Sequence, residues 1–242
     1  MLILALDSTA TVASVAVCQD ERPLASFTVD NGNTHSETLL PMIQTVLQTL
    51  SLTVADVDLF ACTAGPGSFT GVRIGAATIK GLAFAKEKPC VGVSSLESLA
   101  YASAVRDGII CPVINARKFV YYALFCAKNG TLTRLCEDDI VAIGELDAAV
   151  SAVLTEADRA LPIYLTGDGC EIAKRALPSL ASSLRETPLL LRGQNAACIA
   201  QLARKILREG NAEDFSDRML TPVYLRPCQA ERDLNERMNA KG

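Results

Sequence analysis

The residues best suited to chemistry lie in two short turns in the first third of the chain. In LALDSTATVASVAV, residues 4–17, Asp7 closes a strand-like run, and Ser8, Thr9 and Thr11 follow before the next strand-like run. A carboxylate at a strand end can hold a magnesium ion through water, with nearby hydroxyls and backbone N–H groups turned to phosphate. A plain hairpin turn draws on the same residue types, and both readings stand for this stretch alone. The second turn is GPGSFTGVRIG, residues 65–75, between an apolar run and a helix-like run. Phosphate loops occupy such places, because a glycine-rich turn there opens onto the unpaired N–H groups of a helix N-terminus. Neither standard fingerprint fits. Val72 follows Gly71 where a Walker lysine belongs, and Thr70 takes the third glycine position of the dinucleotide pattern. Backbone amides of Ser68, Phe69 and Thr70 could still hold an anion.

His35 is the only histidine. A histidine dyad and a two-histidine metal site are therefore ruled out, and Leu39 sits where an HxxxH pair would place its second ligand. No metal site is expected. Ser68 is a formal nucleophile, but GPGSFTG lacks the G-x-S-x-G elbow. THSE, residues 34–37, offers a helix capping box. The nine cysteines form no CxxC pair, which argues against zinc and reads as reduced core thiols.

These turns need elements to position them, and the chain supplies two similar sets. Half of its 242 residues are hydrophobic, enough for one large or two small cores. LILAL, VASVAVC and LASFTV read as three strands. A helix at 34–50, a strand at 57–63, a helix at 71–86, a strand CVGV and a helix from Ser94 or Ser95 follow. GIICPVINA, FVYYALFCA and LTRLCEDDIVAI open a second three-strand set. The helix ELDAAVSAVL, the strand PIYLTG and the helices CEIAKRAL and NAACIAQLARKILRE complete it. The order predicts an α/β fold of two lobes with duplicated βββαβα cores, the first over 1–106 and the second over 107–242 with an extended tail. In that tail PVYLRP reads as an ordered anchor and NERMNAKG as a loose end.

Charge narrows the function. The net charge is −4 and no Lys/Arg cluster exceeds two residues, which disfavours autonomous nucleic-acid binding. MLILALDS is too short for a signal-peptide core and no apolar run reaches membrane length, so a cytoplasmic protein is expected. From Thr38 to Ile79 the only charged residues are Asp56, Asp58 and Arg73. Two helices so depleted of charge read as an interface core. The competing reading is a helix layer buried inside its own chain. In the second helix Gly71, Gly75, Thr78 and Leu82 line a narrow face, and glycine there makes sense where another backbone comes close. The expected partner surface is His35, Leu39, Met42, Ile43 and Val46 with Gly71, Arg73, Ile74, Gly75, Thr78 and Leu82. Gly75→Arg is expected to block pairing and leave the fold intact.

LALDSTATVASVAV, HSETLLPMI, GPGSFTGVRIG, IKGLAFA and GVSSLESLA, with PVYLR near the end, together resemble the TsaB (YeaZ) family. The resemblance runs from about residue 4 to 99 and resumes near Pro222. It implies an actin/sugar-kinase-like (ASKHA) fold and a non-catalytic subunit of the machinery that makes threonylcarbamoyladenosine (t6A) in tRNA. In that family the paralogue TsaD is the catalyst and carries the HxxxH metal helix, which Leu39 breaks here. The subunit pairs with TsaD through two N-lobe helices, the ATPase TsaE docks on the pair, and alone it forms a homodimer. The resemblance implies no required cofactor, ATP or ADP at most at a partner interface, and tRNA contact only through the complex. Asp7, Ser8, Thr9, Gly65, Gly67, Ser68 and Thr70 would then be a vestigial phosphate loop, with Gly65 and Gly67 free to take positive φ.

Two other classes remain. A small-molecule kinase or nucleotide hydrolase of the same superfamily would use Asp7, with Asp168 in TGDG as its only candidate base. A metallopeptidase is disfavoured by the single histidine.

Overall fold

The computed structural model describes residues 1–84 and 87–225. Its first half runs β1 (Leu2–Asp7), β2 (Ala13–Gln19), β3 (Arg22–Val29), α1 (His35–Thr49), β4 (Leu59–Gly65), α2 (Phe69–Phe84), β5 (Cys90–Ser94) and α3 (Ser95–Ala102). The strands form one sheet in the order β3-β2-β1-β4-β5. β1, β2 and β3 pair antiparallel, whereas β1–β4 and β4–β5 pair parallel. The second half repeats the scheme with β6 (Gly108–Ala116), β7 (Phe119–Lys128), β8 (Thr131–Ala142), α4 (Leu146–Val153), α5 (Glu156–Arg159), β9 (Ile163–Thr166), α6 (Cys170–Ala176), β10 (Leu184–Glu186) and α7 (Ala196–Glu209). Its sheet order is β10-β9-β6-β7-β8, the same arrangement read from the other edge. This doubled pattern is the two-lobed actin/sugar-kinase-like fold. Each half adds a last strand and helix to the βββαβα core; β10, only three residues long, is too short to show a period in the sequence.

Alternation along β1 explains how the first sheet is covered. Leu2, Leu4 and Leu6 face α1 and α2, packing with Leu39, Met42, Ile43, Val46, Ala76 and Ile79. Ile3 and Ala5 face the other way, against Ala196, Ile199, Ala200 and Ala203 of α7. Those four recur at i, i+3, i+4 and i+7, one helical stripe. The last helix of the second half thus covers the first sheet. Correspondingly, α3 lays Leu96, Leu99 and Ala100 on β6 and β7 through Ile110, Ile114 and Phe125. The junction is fastened by Arg134 of β8, which reaches Asp138 Oδ1 at 2.6 Å and Glu97 Oε2 of α3 at 3.2 Å, while Ser94 Oγ donates to Asp138 Oδ2 at 2.6 Å.

Among the described residues no helix is long and apolar enough to cross a membrane. Eight cysteines are described and all are free thiols, five buried and three half-buried. Cys228, and NERMNAKG at the end, lie outside the described residues.

Candidate functional site

The two turns flagged by the sequence meet at a cleft of about 1130 Å³ between the lobes. Thr9, Ala10 and Thr11 line it from the β1–β2 turn, and Pro66 to Thr70 from the glycine-rich turn. The β6–β7 hairpin tip contributes Asn115 to Lys118, the second lobe Asp168, and the tail Val223 to Leu225. The turns lock onto one another. Ser68 N donates to Thr9 O at 2.8 Å, and Ser8 Oγ donates to Gly71 O at 2.8 Å. Ser68 Oγ accepts from Gly71 N at 3.2 Å and so caps α2. Of the three amides named as anion donors, that of Ser68 is therefore spent inside the chain.

The glycines follow from this contact. Gly65 has φ +113°, the left-handed region that favours glycine, and a Cβ there would meet Val223 O at 2.6 Å. Gly67 does not take positive φ as expected. It is glycine because a Cβ would meet Thr9 O at 2.6 Å. Gly71 and Gly75 are buried and face the same turn, their Cβ positions 1.8 Å from Ser8 O and 2.5 Å from Ser8 Oγ. The close backbone that the small face of α2 anticipates is the chain's own β1–β2 turn, not a partner's. Gly75→Arg would drive its side chain into Ser8 and Leu6, so the expectation that it spares the fold is corrected.

Burial corrects the α1 residues as well. Leu39, Met42, Ile43 and Val46 lie at 1–3% exposure on the chain's own sheet and present nothing to a partner. Spacing reported an apolar face; the sheet, not a second molecule, covers it. His35 is half-buried and turned inward, its Nε2 2.6 Å from Ala10 O, which pins the start of α1 to the β1–β2 turn. It pairs with no nucleophile. The expected capping box does not form: Thr34 Oγ1 donates to Glu37 Oε2 at 2.9 Å, while Glu37 N donates to the Thr34 backbone carbonyl and the Thr34 side chain caps no helix N–H.

Asp7 is fully buried. Its Oδ1 accepts from Thr9 N at 2.7 Å and Thr9 Oγ1 at 2.8 Å. Its Oδ2 has no hydrogen bond, and neither do the buried Thr63 Oγ1 and His35 Nδ1 nearby. The carboxylate does not reach the cleft wall, so it has no surface that a hydrated magnesium could touch. Among the described residues no group of three or more His, Cys, Asp or Glu side chains converges as a metal site. Asp168 does line the cleft, with Oδ1 accepting from Asn115 N at 2.9 Å.

Burial raises the Asp7 pKa, against the lowering effects of the Thr9 bonds, Thr63 and His35. An acid raised on folding is stabilised in its neutral form. Its favourable contribution is full below the unfolded-state value of about 3.9 and is lost as pH climbs through that value to the folded one. Asp7→Asn keeps both Thr9 acceptor bonds and removes the buried charge. The variant is expected to melt above the parent at pH 8, with the gap closing toward pH 4, in a thermal melting series over that range. A pH-independent gap, or a less stable variant at pH 8, would refute this account of Asp7.

What stays exposed on the first lobe is a helix surface away from the cleft. On α1 it is Leu40 at 51% exposure, with Pro41, Gln44, Thr45 and Gln48. On α2 it is the stripe Ala77, Gly81 and Phe84, the last at 70% exposure, with Thr78 half-buried beside it; Ile74 and Leu82 sit partly buried against the core. None of these side chains is charged. Arg73 flanks the stripe, its Nε donating to Tyr224 of the tail at 2.8 Å. That distant contact has no signal in the sequence beyond the order in PVYLR. Of the anchor motif PVYLRP, residues 222–225 are described and Val223 N donates to Ala64 O at 2.7 Å; Arg226 and Pro227 lie outside.

Known proteins fit this frame. A family model described as TsaD, tRNA N6-adenosine threonylcarbamoyltransferase, matches residues 30–233. The tRNA threonylcarbamoyladenosine biosynthesis protein TsaB of Bacillus subtilis is 31% identical over 232 residues, 96% of either chain. TsaB of Escherichia coli is 38% identical over 126 residues, 51% of this chain and 54% of that one. The solved structure of YeaZ from Pseudomonas aeruginosa superposes with a TM-score of 0.76 at 27% identity, covering 93% of this chain and 99% of that one. Full-length similarity to TsaB, the YeaZ-like backbone and the family-model match agree: the chain belongs to the TsaB (YeaZ) family.

Proposed function

We propose that this protein is the non-catalytic subunit of the t6A tRNA-modification machinery, binding and activating a TsaD-type paralogue through the exposed faces of α1 and α2. The observation that carries this is the uncharged surface of Leu40, Pro41, Gln44, Thr45 and Gln48 on α1 with Ala77, Gly81 and Phe84 on α2, outside the cleft. A solvated helix face ordinarily carries charge, as α7 does; an uncharged one is suited to be covered. The cleft supports the same reading from the other side. Its glycine turn is tied to the chain's own hairpin, Asp7 is sealed from it, and Leu39 stands in the core where a second metal-binding histidine would be needed. The pair offers the docking surface for a TsaE-type ATPase, with ATP or ADP bound where subunits meet. Alone, the chain pairs with itself through the same helices. It works in the cytoplasm and meets tRNA only through the assembly.

Light scattering on the chain mixed with its TsaD-type paralogue is the test. A complex of fixed stoichiometry is expected, and two species that stay separate would sink the proposal. Nucleotide turnover by the lone chain tests the kinase or hydrolase alternative. No saturable ATP consumption is expected; turnover abolished by Asp7→Ala would replace the scaffold reading with an enzymatic one.

A further inference from the structure

Arg73 is the only positive charge among residues 38–79, and the fold holds it firmly for an exposed arginine. Its guanidinium carbon lies 3.8 Å from the centre of the Phe69 ring and 5.4 Å from that of Tyr224. The two rings touch, with centroids 4.7 Å apart. Arg73 Nε donates to the Tyr224 hydroxyl at 2.8 Å across 151 residues of sequence. Tyr224 is fixed in turn, because Val223 N binds Ala64 O at 2.7 Å and Leu220 O accepts Lys80 Nζ at 3.2 Å. Among the described residues no carboxylate pairs with Arg73. The stack and the Nε bond have already removed its rotamer freedom, while its two terminal amino groups keep their donors.

A guanidinium held this way is shaped to accept a carboxylate in a two-pronged pair, and its ordering cost is met on folding rather than on binding. It stands at the edge of an uncharged surface, where an arginine is a common energetic anchor. Phosphate recognition gathers several cations. On the two docking helices no second cation joins Arg73, since α1 carries none and Lys80 of α2 is turned to the tail, so a single carboxylate matches the single fork. Resting on the docking reading above, we propose that Arg73 is the charged anchor of that face and receives an Asp or Glu side chain of the TsaD-type partner. Tyr224 is the positioning residue that aims it. The C-terminal tail is thereby part of the docking surface, although it contributes no charge of its own.

The test is calorimetric titration of the folded chain with the same organism's TsaD-type protein, with circular dichroism to verify each variant's fold. Arg73→Ala is expected to weaken binding at least about tenfold. Arg73→Lys should lose most of that too, because an ammonium lacks the planar fork. Tyr224→Phe keeps the ring and removes the acceptor; it should weaken binding about threefold and add nothing in an Arg73→Ala background. Wild-type affinity should fall more steeply with salt than that of Arg73→Ala. Arg73→Ala binding within about twofold of wild type, while Gly81→Arg in the middle of the uncharged face abolishes binding, overturns this inference and leaves the docking reading standing. Both variants binding like wild type overturns both. Loss of tRNA binding by Arg73→Ala with protein pairing unchanged identifies phosphate as its target and overturns it as well.

Discussion

Gly71→Ala is expected to abolish or severely impair folding, although it adds one methyl group to a helix and alanine is the better helix former. The propensity gain is about 1 kcal/mol. Against it stands a Cβ that would lie 1.8 Å from Ser8 O, a backbone atom of the β1–β2 turn. Ser8 Oγ donates to Gly71 O, and Thr9 O accepts from Ser68 N, so the turn cannot retreat without losing both bonds. Overpacking against side chains costs about 1–3 kcal/mol, and a backbone that cannot yield costs more. At about 2–4 °C per kcal/mol for a chain of this size, a soluble variant should melt at least about 10 °C below the parent. Gly75→Ala should fall between, because its Cβ meets the Ser8 hydroxyl at 2.5 Å and Leu6 Cδ1 at 3.1 Å, both ends of side chains. Calorimetry on the two variants checks the order. Equal melting temperatures for Gly71→Ala and wild type would mean that α2 does not seat on the turn as described.

These glycines also show where sequence reasoning stopped. The spacing of Gly71, Gly75 and Thr78 announced a helix approached by backbone, and that was correct chemistry. It could not say whose backbone, because a turn 63 residues earlier and a second molecule leave the same small-residue stripe. The same limit applies to Leu39, Met42, Ile43 and Val46, whose periodicity located an apolar face without naming what covers it. The architecture was far more legible. LILAL, buried on both faces, lacked polar alternation because helices cover both sides of a central strand, and the repeated strand–helix order carried the doubled topology. The two turns were legible as a unit only in part. Asp7, Ser8, Thr9, Gly65, Gly67, Ser68 and Thr70 do lie together, but no local residue pattern marks Asp7 as sealed away from the cleft. The Tyr224–Arg73 contact joins residues 151 positions apart, and no local pattern encodes it. The absence of charge between Thr38 and Ile79 was visible directly, and the exposed part of that stretch is what the docking proposal uses.

Gly81 separates the two roles of α2. It lies in the same helix as Gly71 and Gly75 but is exposed, and a Cβ there meets nothing within 4 Å. Its substitution removes the entropic penalty of a helical glycine without a clash. Gly81→Ala should therefore stabilise the chain by about 0.5–1 kcal/mol, and Gly81→Arg should be no less stable than the parent. Yet Gly81 sits one turn beyond Ala77 and Thr78, in the middle of the uncharged stripe. An arginine there projects a long hydrated cation into a surface that contains no carboxylate to receive it. Pairing then requires either stripping that charge of water or holding the two surfaces apart, and an unpaired buried charge costs several kcal/mol. Gly81→Arg is accordingly expected to weaken association with the TsaD-type partner by at least about a hundredfold, near 2.7 kcal/mol, while its melting temperature stays at or above the parent's. Co-elution on a sizing column and a melting curve of the same preparation measure both sides. A stable variant that still pairs at wild-type affinity would move the interface off α2, and the functional reading with it.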